Sequence, residues 1–429
     1  MSLVETNKII TGNFGKKDSH LLKVYAAGGG YEALPKVLEM DSKEVIEEVK
    51  NSGLRGRGGA GFSAGLKWSF VPKDSKIPKY LCVNADESEP GTFKDRGILE
   101  RDPHKVIEGT IICSYAIGCR LAFIYLRGEF LLAYQRLMAA LEEAKKCGFL
   151  GKNILKSGYD LEIIVHRGAG AYICGEETGL IESLEGKKGY PRVKPPFPAA
   201  VGLFGCPTVV NNVETLGALP YIMIHGAKGY RKFGTEKSPG TKVFSVSGFI
   251  KNPGNYELEL GYPFSKFLQE ELGGMLPGST FKCMFPGGSS TPVLNAEEVK
   301  DLNLDYESIN KKGSFLGSGG MIIYDQSVSM VKASTFLSDF YSGESCGQCT
   351  PCREGTGWAD KILHRIYQGE GELNDIDNLI RMCDGMEGHT ICALSDGFAM
   401  PLRSILKKFR SEFEDYIREK KIPEPIPSW

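Results

Sequence analysis

The amino-acid sequence predicts an α/β domain with a mostly parallel sheet, followed by a small α+β module and a C-terminal helical bundle. Three observations predict this order. Helix and strand signals alternate up to about residue 235. Short runs of alternating apolar and polar residues occupy residues 240 to about 330. From residue 335 onward, apolar residues recur with the helical period.

The first segment contains three strand signals separated by helix signals. We expect strands at Lys79–Asn84, Leu121–Leu126 and Leu161–Val165, with helices at His104–Ile117 and Phe130–Lys146. Strands separated by helices of this length form a parallel sheet, because each crossover returns the chain to the same edge. Ligands of such sheets bind at the loops after the carboxyl ends of strands. The loops after the first and third strands are therefore the expected binding loops.

The second and third segments are built differently. Lys242–Ser247 and Tyr256–Leu260 flank an Asn-Pro-Gly turn, which predicts a hairpin. A short amphipathic helix is expected at Phe264–Leu272, with strands at Phe281–Phe285 and Met321–Tyr324. In the bundle, the helical period predicts one buried face that carries Trp358, Ile362, Leu363, Ile366 and Tyr367.

The composition is that of a globular protein of two or three domains. The chain has 429 residues, of which 24% are charged and 41% hydrophobic. A net charge of −1 argues against nucleic acid or an anionic membrane surface as the main partner. The N-terminus lacks an apolar signal core, and Glu108 and Arg120 interrupt the most apolar long window. We therefore expect a protein of a reducing compartment that does not insert into a membrane.

Three cysteines lie within seven residues at Cys346, Cys349 and Cys352. Three close thiolates with a distant fourth are a usual ligand set for an iron–sulfur cluster. A zinc site or three free thiols are the alternatives, although zinc usually takes a second closely spaced pair of ligands. On the spacing alone, the fourth ligand is either Cys383 or Cys392, the two cysteines that follow.

A glycine-rich run with three cations follows a predicted helix. A capping-box pattern at Asp41 predicts that helix, which ends near Gly53. The glycines of the run allow backbone N–H groups to approach an anion closely, and Arg55, Arg57 and Lys67 add positive charge. The run follows a helix and not a strand, so it is a weak dinucleotide fingerprint. The alternative is a surface loop with solvated cations.

An acidic loop and a second glycine-rich loop follow two of the predicted strands. The first has three carboxylates within residues 84–91, which suit hydroxyl and N–H donors of a ribose, ribityl chain or flavin edge. The second, residues 168–179, contains Glu176 and Glu177 at a helix start. A solvated acidic turn and simple complementation of the helix N-terminus are the respective alternatives.

Two further runs offer stacking and amide groups. The proline-rich run at residues 192–198 carries Phe197, which could stack on a planar ring or pack in the core. Asn211 and Asn212 provide amides suited to a phosphate or ribityl chain.

Five of these runs, in this order, resemble the flavin-bearing NADH dehydrogenase subunit of proton-pumping NADH:quinone oxidoreductase, respiratory complex I. They cover residues 53–70, 84–95, 168–179, 195–215 and 346–357. The resemblance covers nearly the whole chain and implies three domains. These are a Rossmann-like FMN and NADH domain at 1–238, a β-grasp-like domain at 239–332 and a helical bundle carrying a [4Fe-4S] cluster at 333–429.

The resemblance also implies the site residues. By motif position, FMN would contact Gly56, Arg57, Gly58, Lys67, Asn84, Asp86, Tyr172, Gly175, Glu176, Asn211, Asn212 and Thr215. NADH would stack its adenine among three phenylalanines and place its hydroxyls and phosphates near two acids and a lysine: Phe62, Phe70, Phe197, Glu89, Glu177 and Lys194. One departure is Ser63-Ala64 where the family has Pro-Thr. It could loosen the turn but removes no ligand.

For the cluster, the family pattern favours Cys392 as the fourth ligand after Cys346, Cys349 and Cys352. Two residue arguments agree. Cys383 falls on the apolar face of its predicted helix, whereas Cys392 lies in a loop between helices. We therefore predict that Cys383 is not a ligand.

The implied activity is transfer of a hydride from NADH to FMN, followed by single electrons to the cluster and on toward quinone. No side chain is needed as a general acid or base. The implied partners are a thioredoxin-like [2Fe–2S] subunit and a larger iron–sulfur subunit, on the cytoplasmic, inner face of the membrane. The alternatives are the diaphorase subunit of an NAD-linked hydrogenase or formate dehydrogenase, which often has additional cysteine runs, and a zinc-holding scaffold without enzymatic activity.

Overall fold

The computed structural model describes residues 8–73 and 76–420. The polar N-terminal run on which the absence of a signal core was argued lies mostly outside these residues. The ends of the first and third predicted domains, residues 1–7 and 421–429, also lie outside them.

The first sheet has four parallel strands with the spatial order β3-β2-β1-β4. They are β1 (Tyr80–Ala85), β2 (Leu121–Leu126), β3 (Glu162–Arg167) and β4 (Thr208–Asn212). The three strands expected from the sequence are therefore confirmed within two residues at each end, and the fourth was missed. Its run is short and begins directly after a proline, so it gives a weak strand signal.

Ten helices accompany this sheet within the described residues. They are α1 (Leu22–Ala27), α2 (Ala33–Glu39), α3 (Ser42–Ser52), α4 (Ala64–Ser69), α5 (Lys94–Arg101), α6 (Pro103–Ile117), α7 (Leu131–Lys146), α8 (Glu177–Leu184), α9 (Val213–Gly217) and α10 (Leu219–Tyr230). The expected capping box at Asp41 is present on α3, and Gly53 ends this helix in the left-handed conformation that favours glycine. Nearly every residue of α6 is buried, so this helix runs through the core.

The second sheet is mixed, with the order β6-β5-β9-β7-β8. The strands are β5 (Thr241–Gly248), β6 (Gly254–Glu259), β7 (Phe281–Phe285), β8 (Leu294–Asn295) and β9 (Gly320–Asp325), with the helices α11 (Phe264–Lys266) and α12 (Tyr306–Lys311). The predicted β5–β6 hairpin is confirmed. The helix expected at Phe264–Leu272 continues from α11 as a π-helical turn, Phe267–Glu271.

Five helices form the C-terminal part: α13 (Met330–Glu344), α14 (Thr350–Tyr367), α15 (Leu373–Met386), α16 (Leu394–Lys408) and α17 (Arg410–Arg418). A single buried apolar cluster joins these helices to the first sheet, since it contains Ile173 and Leu180 as well as Tyr341 and Phe398. The bundle is thus packed against the loops at the carboxyl edge of that sheet. One expectation was wrong: Trp358 is 57% exposed.

None of the helices within residues 8–73 and 76–420 has the length and hydropathy required to cross a bilayer.

Candidate functional site

The strand register brings three loops together at the carboxyl edge of the first sheet. Asn84, near the end of β1, pairs with Asn212 at the end of β4. The Asn84 side chain donates from Nδ2 to the carbonyl oxygen of Gly175, at 2.8 Å, and thereby ties the loop after β3 to β1. The acidic loop, the second glycine-rich loop and the Asn211–Thr215 segment therefore converge, as expected for a parallel sheet.

The first glycine-rich loop is anchored through its arginines. Arg55 donates from Nε to the carbonyl of Gly61, pairs with Glu307 at 2.9 Å and lies over the ring of Tyr306. Arg57 is fully buried and donates to Tyr230 Oη and to the carbonyl of Pro239, each at 3.1 Å. Both guanidinium groups therefore fix the loop to neighbouring parts of the protein. Whether they also contribute charge to a bound anion stays a prediction.

The main chain of Arg57 faces the converging segment, where its N–H donates to Thr215 Oγ1 at 2.9 Å. A Cβ on Gly58 would approach the Asn212 side chain at 3.0 Å, so the loop lies directly against β4. Gly61 has φ +64°, and a Cβ there would collide with the ring of Tyr306. The glycines therefore serve close packing as well as an open main chain.

Lys67 is the loop cation that reaches the site. Its Nζ lies 2.8 Å from Glu177 Oε2 and 3.0 Å from the carbonyl of Val210. Lys194 bridges Glu176 and Glu177, at 2.8 and 3.0 Å. Burial alone would raise the pKa of Glu177, but Lys67 and Lys194 hold that pKa below its usual value. Glu177 is thus an ionised carboxylate at the mouth of the site.

Glu176 has a second task, because its Oε2 accepts the N–H groups of Thr178 and Gly179 at 2.7 and 2.9 Å. This is an N-cap for α8. The alternative that this acid serves the helix N-terminus is therefore confirmed for Glu176, while Glu177 is held by lysines.

The three carboxylates of the acidic loop differ in their surroundings. Glu87 accepts the N–H groups of Asp95 and Arg96 at the start of α5, which makes it a structural acid. Glu89 accepts from Tyr172 Oη at 2.7 Å and from the N–H of Ser290 at 2.8 Å. Asp86 is buried, and burial raises its pKa to about 7.

One oxygen of Asp86, Oδ1, has no hydrogen-bond partner among the described residues. A buried carboxylate oxygen without a donor is costly, so a ligand that offers hydroxyl or N–H donors at this point fits the site. The polyol chain of FMN offers such donors. At the same edge, the glycine loop that lies against Asn212 and the Asn211–Asn212 segment also fit a flavin nucleotide, which needs close main-chain approach and polar contacts.

Beneath this edge lies a buried network of charges that the sequence did not reveal. Asn212 donates from Nδ2 to Asp95 Oδ2 at 2.6 Å. Lys94 lies 2.8 Å from Asp95 Oδ1 and 2.9 Å from Glu214 Oε2, and Lys242 lies 2.7 Å from the same Glu214 oxygen. Asn211 is fixed by the indole N–H of Trp68, at 2.8 Å. These contacts hold the amides of both asparagines in place.

The three phenylalanines expected to stack on adenine are exposed. Phe62 and Phe70 are 50% and 55% exposed, with ring centroids 6.3 Å apart, and Phe197 is 59% exposed. The core-packing alternative for Phe197 is therefore wrong.

Cys346 and Cys349 lie between α13 and α14, Cys352 lies in the first turn of α14, and Cys392 lies in the loop before α16. Burial raises the pKa of Cys392 to about 12, and the neighbouring Glu176 carboxylate and the thiols of Cys346 and Cys352 contribute. The N–H of Ile391 donates to Cys349 Sγ at 3.4 Å. The four thiols, from the start of α14 with its preceding loop and from the loop before α16, thus lie near one another, and this donor set fits a cubane iron–sulfur cluster.

Cys383 is buried on the inner face of α15, as predicted. Burial raises its pKa to about 12, and the charged neighbours that act on it are Arg403, Asp384 and Glu387. Its surroundings differ from those of the other four thiols.

The fold and these two sites define a class of redox protein in which a nucleotide-binding α/β unit packs against a bundle with four clustered thiols. Two family models match the chain. Residues 49–221 match the Nuo51 FMN-binding domain, and residues 332–416 match the NADH-ubiquinone oxidoreductase-F iron–sulfur binding region.

Curated relatives match over nearly the full length. The chain is 51% identical over 416 residues to NADH-quinone oxidoreductase F subunit 2 of Rhizobium meliloti, covering 97% of this chain and 99% of that one. It is 48% identical over 417 residues to the NADH-quinone oxidoreductase F subunit of Rickettsia bellii, covering 97% and 100%. The chain belongs to the family of NADH-quinone oxidoreductase F subunits, an FMN- and [4Fe-4S]-binding oxidoreductase family, which confirms the resemblance inferred from its motifs.

Solved structures give the same fold. The structure of NAD+-reducing [NiFe]-hydrogenase in the H2-reduced state superimposes with a TM-score of 0.83 at 33% identity, covering 96% of this chain and 67% of that one. Its air-oxidised state gives a TM-score of 0.81 at 34% identity, covering 99% and 69%. The α/β fold followed by a second sheet and a helical bundle is therefore confirmed.

Proposed function

We propose that this chain is the subunit at which NADH is oxidised, with the residues at the carboxyl edge of the first sheet holding FMN and NADH. The observation that carries the proposal is the unpartnered Asp86 Oδ1 beside Asn84 and Gly175, at the edge of the sheet where the loops converge. When bound, FMN takes a hydride from NADH and releases the two electrons singly, which nicotinamide does not readily do.

In this proposal the protein supplies binding and orientation. The proposed FMN contacts are those named from the motifs: Gly56, Arg57, Gly58, Lys67, Asn84, Asp86, Tyr172, Gly175, Glu176, Asn211, Asn212 and Thr215. Arg57 contributes by anchoring the loop, since its guanidinium is buried behind it. Phe62, Phe70 and Phe197 stack on the adenine of NADH, whereas Glu89, Glu177 and Lys194 contact its hydroxyls and phosphates.

The cluster ligands in this proposal are Cys346, Cys349, Cys352 and Cys392. Two observations support the assignment. Cys346 and Cys352 lie near enough to raise the pKa of the Cys392 thiol, and the N–H of Ile391, next to Cys392, donates to Cys349 Sγ. The three proposed domains remain 1–238, 239–332 and 333–429, with the cluster in the third.

The chain works with partner subunits, as the names of its relatives imply. We propose that the partners are a thioredoxin-like [2Fe–2S] subunit and a larger iron–sulfur subunit, which place the chain at the cytoplasmic, inner face of the membrane. A diaphorase role within an NAD-linked hydrogenase is the second candidate, because the solved structures that match come from such an enzyme. Identification of the chains that co-purify with a tagged copy separates the two.

The test of the proposed function uses the full chain, purified anaerobically with its partners. We expect FMN and iron in the preparation and NADH-dependent reduction of ferricyanide. A variant Asp86→Ala should lose FMN, because the pocket loses the acceptor for the ligand's donors. A control variant Glu142→Ala changes an exposed acid on α7 that pairs with Lys145 and should retain FMN. Full FMN retention by Asp86→Ala would contradict the proposed site.

A further inference from the structure

We propose that Glu344 is a positioning residue that clamps the loop at residues 168–176, called the flavin loop below, to the cluster-bearing bundle. It would thereby set how fast electrons pass from flavin to cluster. The proposal rests on the proposed function, since it assumes that the loop around Tyr172 holds FMN. Glu344 matched none of the motifs in the sequence. Its role follows from the contacts that it and Tyr172 make.

The first contact joins the two sites directly. Glu344 is the last residue of α13 and lies two residues before Cys346. Its Oε2 accepts the backbone N–H of Tyr172 at 3.0 Å. Loss of this acceptor would leave the N–H without the hydrogen bond that the structure gives it. The start of the flavin loop is therefore bonded to the helix that leads into the cysteine run.

The other end of Tyr172 is also held. Its hydroxyl donates to Glu89 Oε2 at 2.7 Å, and Glu89 is itself fixed by the N–H of Ser290. The Tyr172 ring packs edge-on against Phe340 and Tyr341 of α13, with centroids 5.2 and 5.9 Å apart. A shift of this loop relative to α13 would break the hydrogen bond at Glu344 and these ring contacts together.

On the bundle side, the last turn of α13 leads directly into the loop at residues 345–349, which carries Cys346 and Cys349 and is called the ligand loop below. The N–H of Ser345 donates to the carbonyl of Tyr341, and Ser345 Oγ lies 3.2 Å from Cys352 Sγ. The N–H of Gly347 donates to the same hydroxyl at 3.4 Å. Movement at Glu344 therefore changes the position of the ligand loop relative to the flavin loop.

The two half-reactions should respond differently to a loss of this clamp. Hydride transfer delivers two electrons and one proton from NADH to the flavin and needs only the contacts at the sheet edge. Transfer of the electrons to the cluster, one at a time, depends steeply on the separation of the two groups. Loosening the clamp is therefore expected to slow the second step and leave the first unchanged.

Three variants separate this role from a general structural or charge effect. Glu344→Ala removes the acceptor. Glu344→Gln retains an acceptor oxygen but removes the charge. Glu354→Ala is the matched control, because Glu354 lies two residues after Cys352 and its carboxylate pairs with Arg353 at the surface. It removes a negative charge at a similar distance in sequence from the ligands without touching the flavin loop.

Each variant, as the full chain in complex with its partners, is mixed anaerobically with NADH. Flavin bleaching is followed by stopped-flow absorbance, and cluster reduction by rapid-freeze EPR. Hydrogen–deuterium exchange of the peptide spanning residues 168–176 is measured on the same preparations before NADH is added. This readout reports the clamp without any turnover.

We expect Glu344→Ala to exchange about tenfold faster at the Tyr172 amide, as the loss of its hydrogen-bond acceptor implies. It should reduce the cluster several-fold more slowly at an unchanged rate of flavin bleaching. Glu344→Gln, which keeps an acceptor oxygen, and Glu354→Ala should remain close to wild type. Unchanged exchange in Glu344→Ala, or equal slowing in Glu354→Ala, would overturn the proposal. Absence of flavin bleaching in the wild type would instead refute the proposed function.

Discussion

At the scale of single residues, the site shows how environment assigns roles to identical side chains. Glu87, Glu89 and Glu177 are all acids near one edge of a sheet, yet their partners differ. Glu87 accepts main-chain N–H groups, Glu89 accepts from Tyr172, and Glu177 is paired with lysines. An acid can exchange its protein partners for a ligand hydroxyl only where those partners are free to move. Glu177 meets this condition, because both of its lysines are partly exposed.

We predict that Glu177 discriminates against NADPH. Lys67 and Lys194 keep its carboxylate ionised, so it can accept from the 2′-hydroxyl of NADH and repel the 2′-phosphate of NADPH. Glu177→Ala should lower the ratio of kcat/KM for NADH over NADPH by about tenfold or more, the effect of roughly 1.4 kcal/mol. Ferricyanide reduction with each nucleotide measures it. An unchanged ratio, with a collapsed ratio in Glu89→Ala, would move the role to Glu89.

Lys67 gives a second prediction at this scale. Its ammonium group lies within reach of both Glu177 and the sheet edge, so it can pair with a ligand phosphate. Lys67→Ala should weaken FMN or NADH binding about tenfold, since a charge-assisted contact contributes roughly 1.5–3 kcal/mol. Flavin retention and the NADH dependence of the initial rate measure this. Unchanged values for both would exclude such a contact.

The cysteines give a third. Cys392→Ala should abolish the EPR signal of the reduced cluster and lower the iron content, whereas Cys383→Ala should leave both unchanged. Cys383 is buried among apolar side chains of the bundle and packs there as a small apolar residue. Alanine is also small and apolar, so it should be tolerated at this position. Dithionite-reduced samples make the readout independent of NADH. The reverse pattern would reassign the fourth ligand.

At the scale of elements, the sequence predicted strands and helices well where the period was long and uninterrupted. The strand Leu121–Leu126 and the end of α6 agree to the residue. Burial direction was less predictable. The period correctly placed Leu363 and Ile366 of α14 inside but also placed Trp358 there. In the structure, the buried face of α14 runs through Gly355 and Ala359, and Trp358 points away from it.

Site geometry was predictable only in part, for a related reason. Motifs identify which side chains have the right chemistry, but they do not show where a guanidinium points. Arg57 has the positive charge expected of an anion ligand, but its guanidinium is buried and bonded to the carbonyl of Pro239. The Lys94–Glu214–Lys242 network is equally invisible, because its members come from three elements distant in sequence. Tertiary contacts of this kind follow from the fold and not from local spacing.

Helix α6 carries a pH-dependent element of stability. Burial raises the pKa of Glu108 to about 7, although Tyr25 Oη and the N–H of Tyr31 donate to it. The folded state therefore binds more protons than the unfolded state between about pH 4.5 and pH 7, so stability falls as pH rises through this range. Glu108→Gln should flatten this dependence and raise the midpoint of unfolding at pH 8. Denaturation of both proteins at pH 5 and pH 8 tests it, and parallel curves would contradict the assignment.

At the scale of the whole molecule, buried charges join the first unit to the second. Glu214 on α9 holds Lys94 on α5 and Lys242 on β5. The carboxylate of Glu257 on β6 accepts the N–H groups of Ile10 and Thr11, which ties the N-terminal segment to the second sheet. The position of the site residues therefore depends on these buried contacts between the two units.

We predict that Glu214→Ala destabilises the protein by about 3–5 kcal/mol, because it leaves two buried lysines without their shared partner. The free energy of unfolding in urea measures this loss. Glu297→Ala is the control, since it removes an exposed partner of Lys300 and should change stability by less than about 1 kcal/mol. Equal effects of the two variants would contradict a structural role for the network.

The central claim is that one chain accepts electron pairs from NADH and passes them on singly through its own cluster. The most direct test is an anaerobic titration of the purified protein with NADH, followed by absorbance and EPR on the same samples. We predict bleaching of the flavin band together with the EPR signal of a reduced [4Fe-4S] cluster. In Cys392→Ala, the bleaching should persist without that signal. A wild-type protein that contains zinc, and shows neither flavin absorbance nor a cluster signal, would contradict the account.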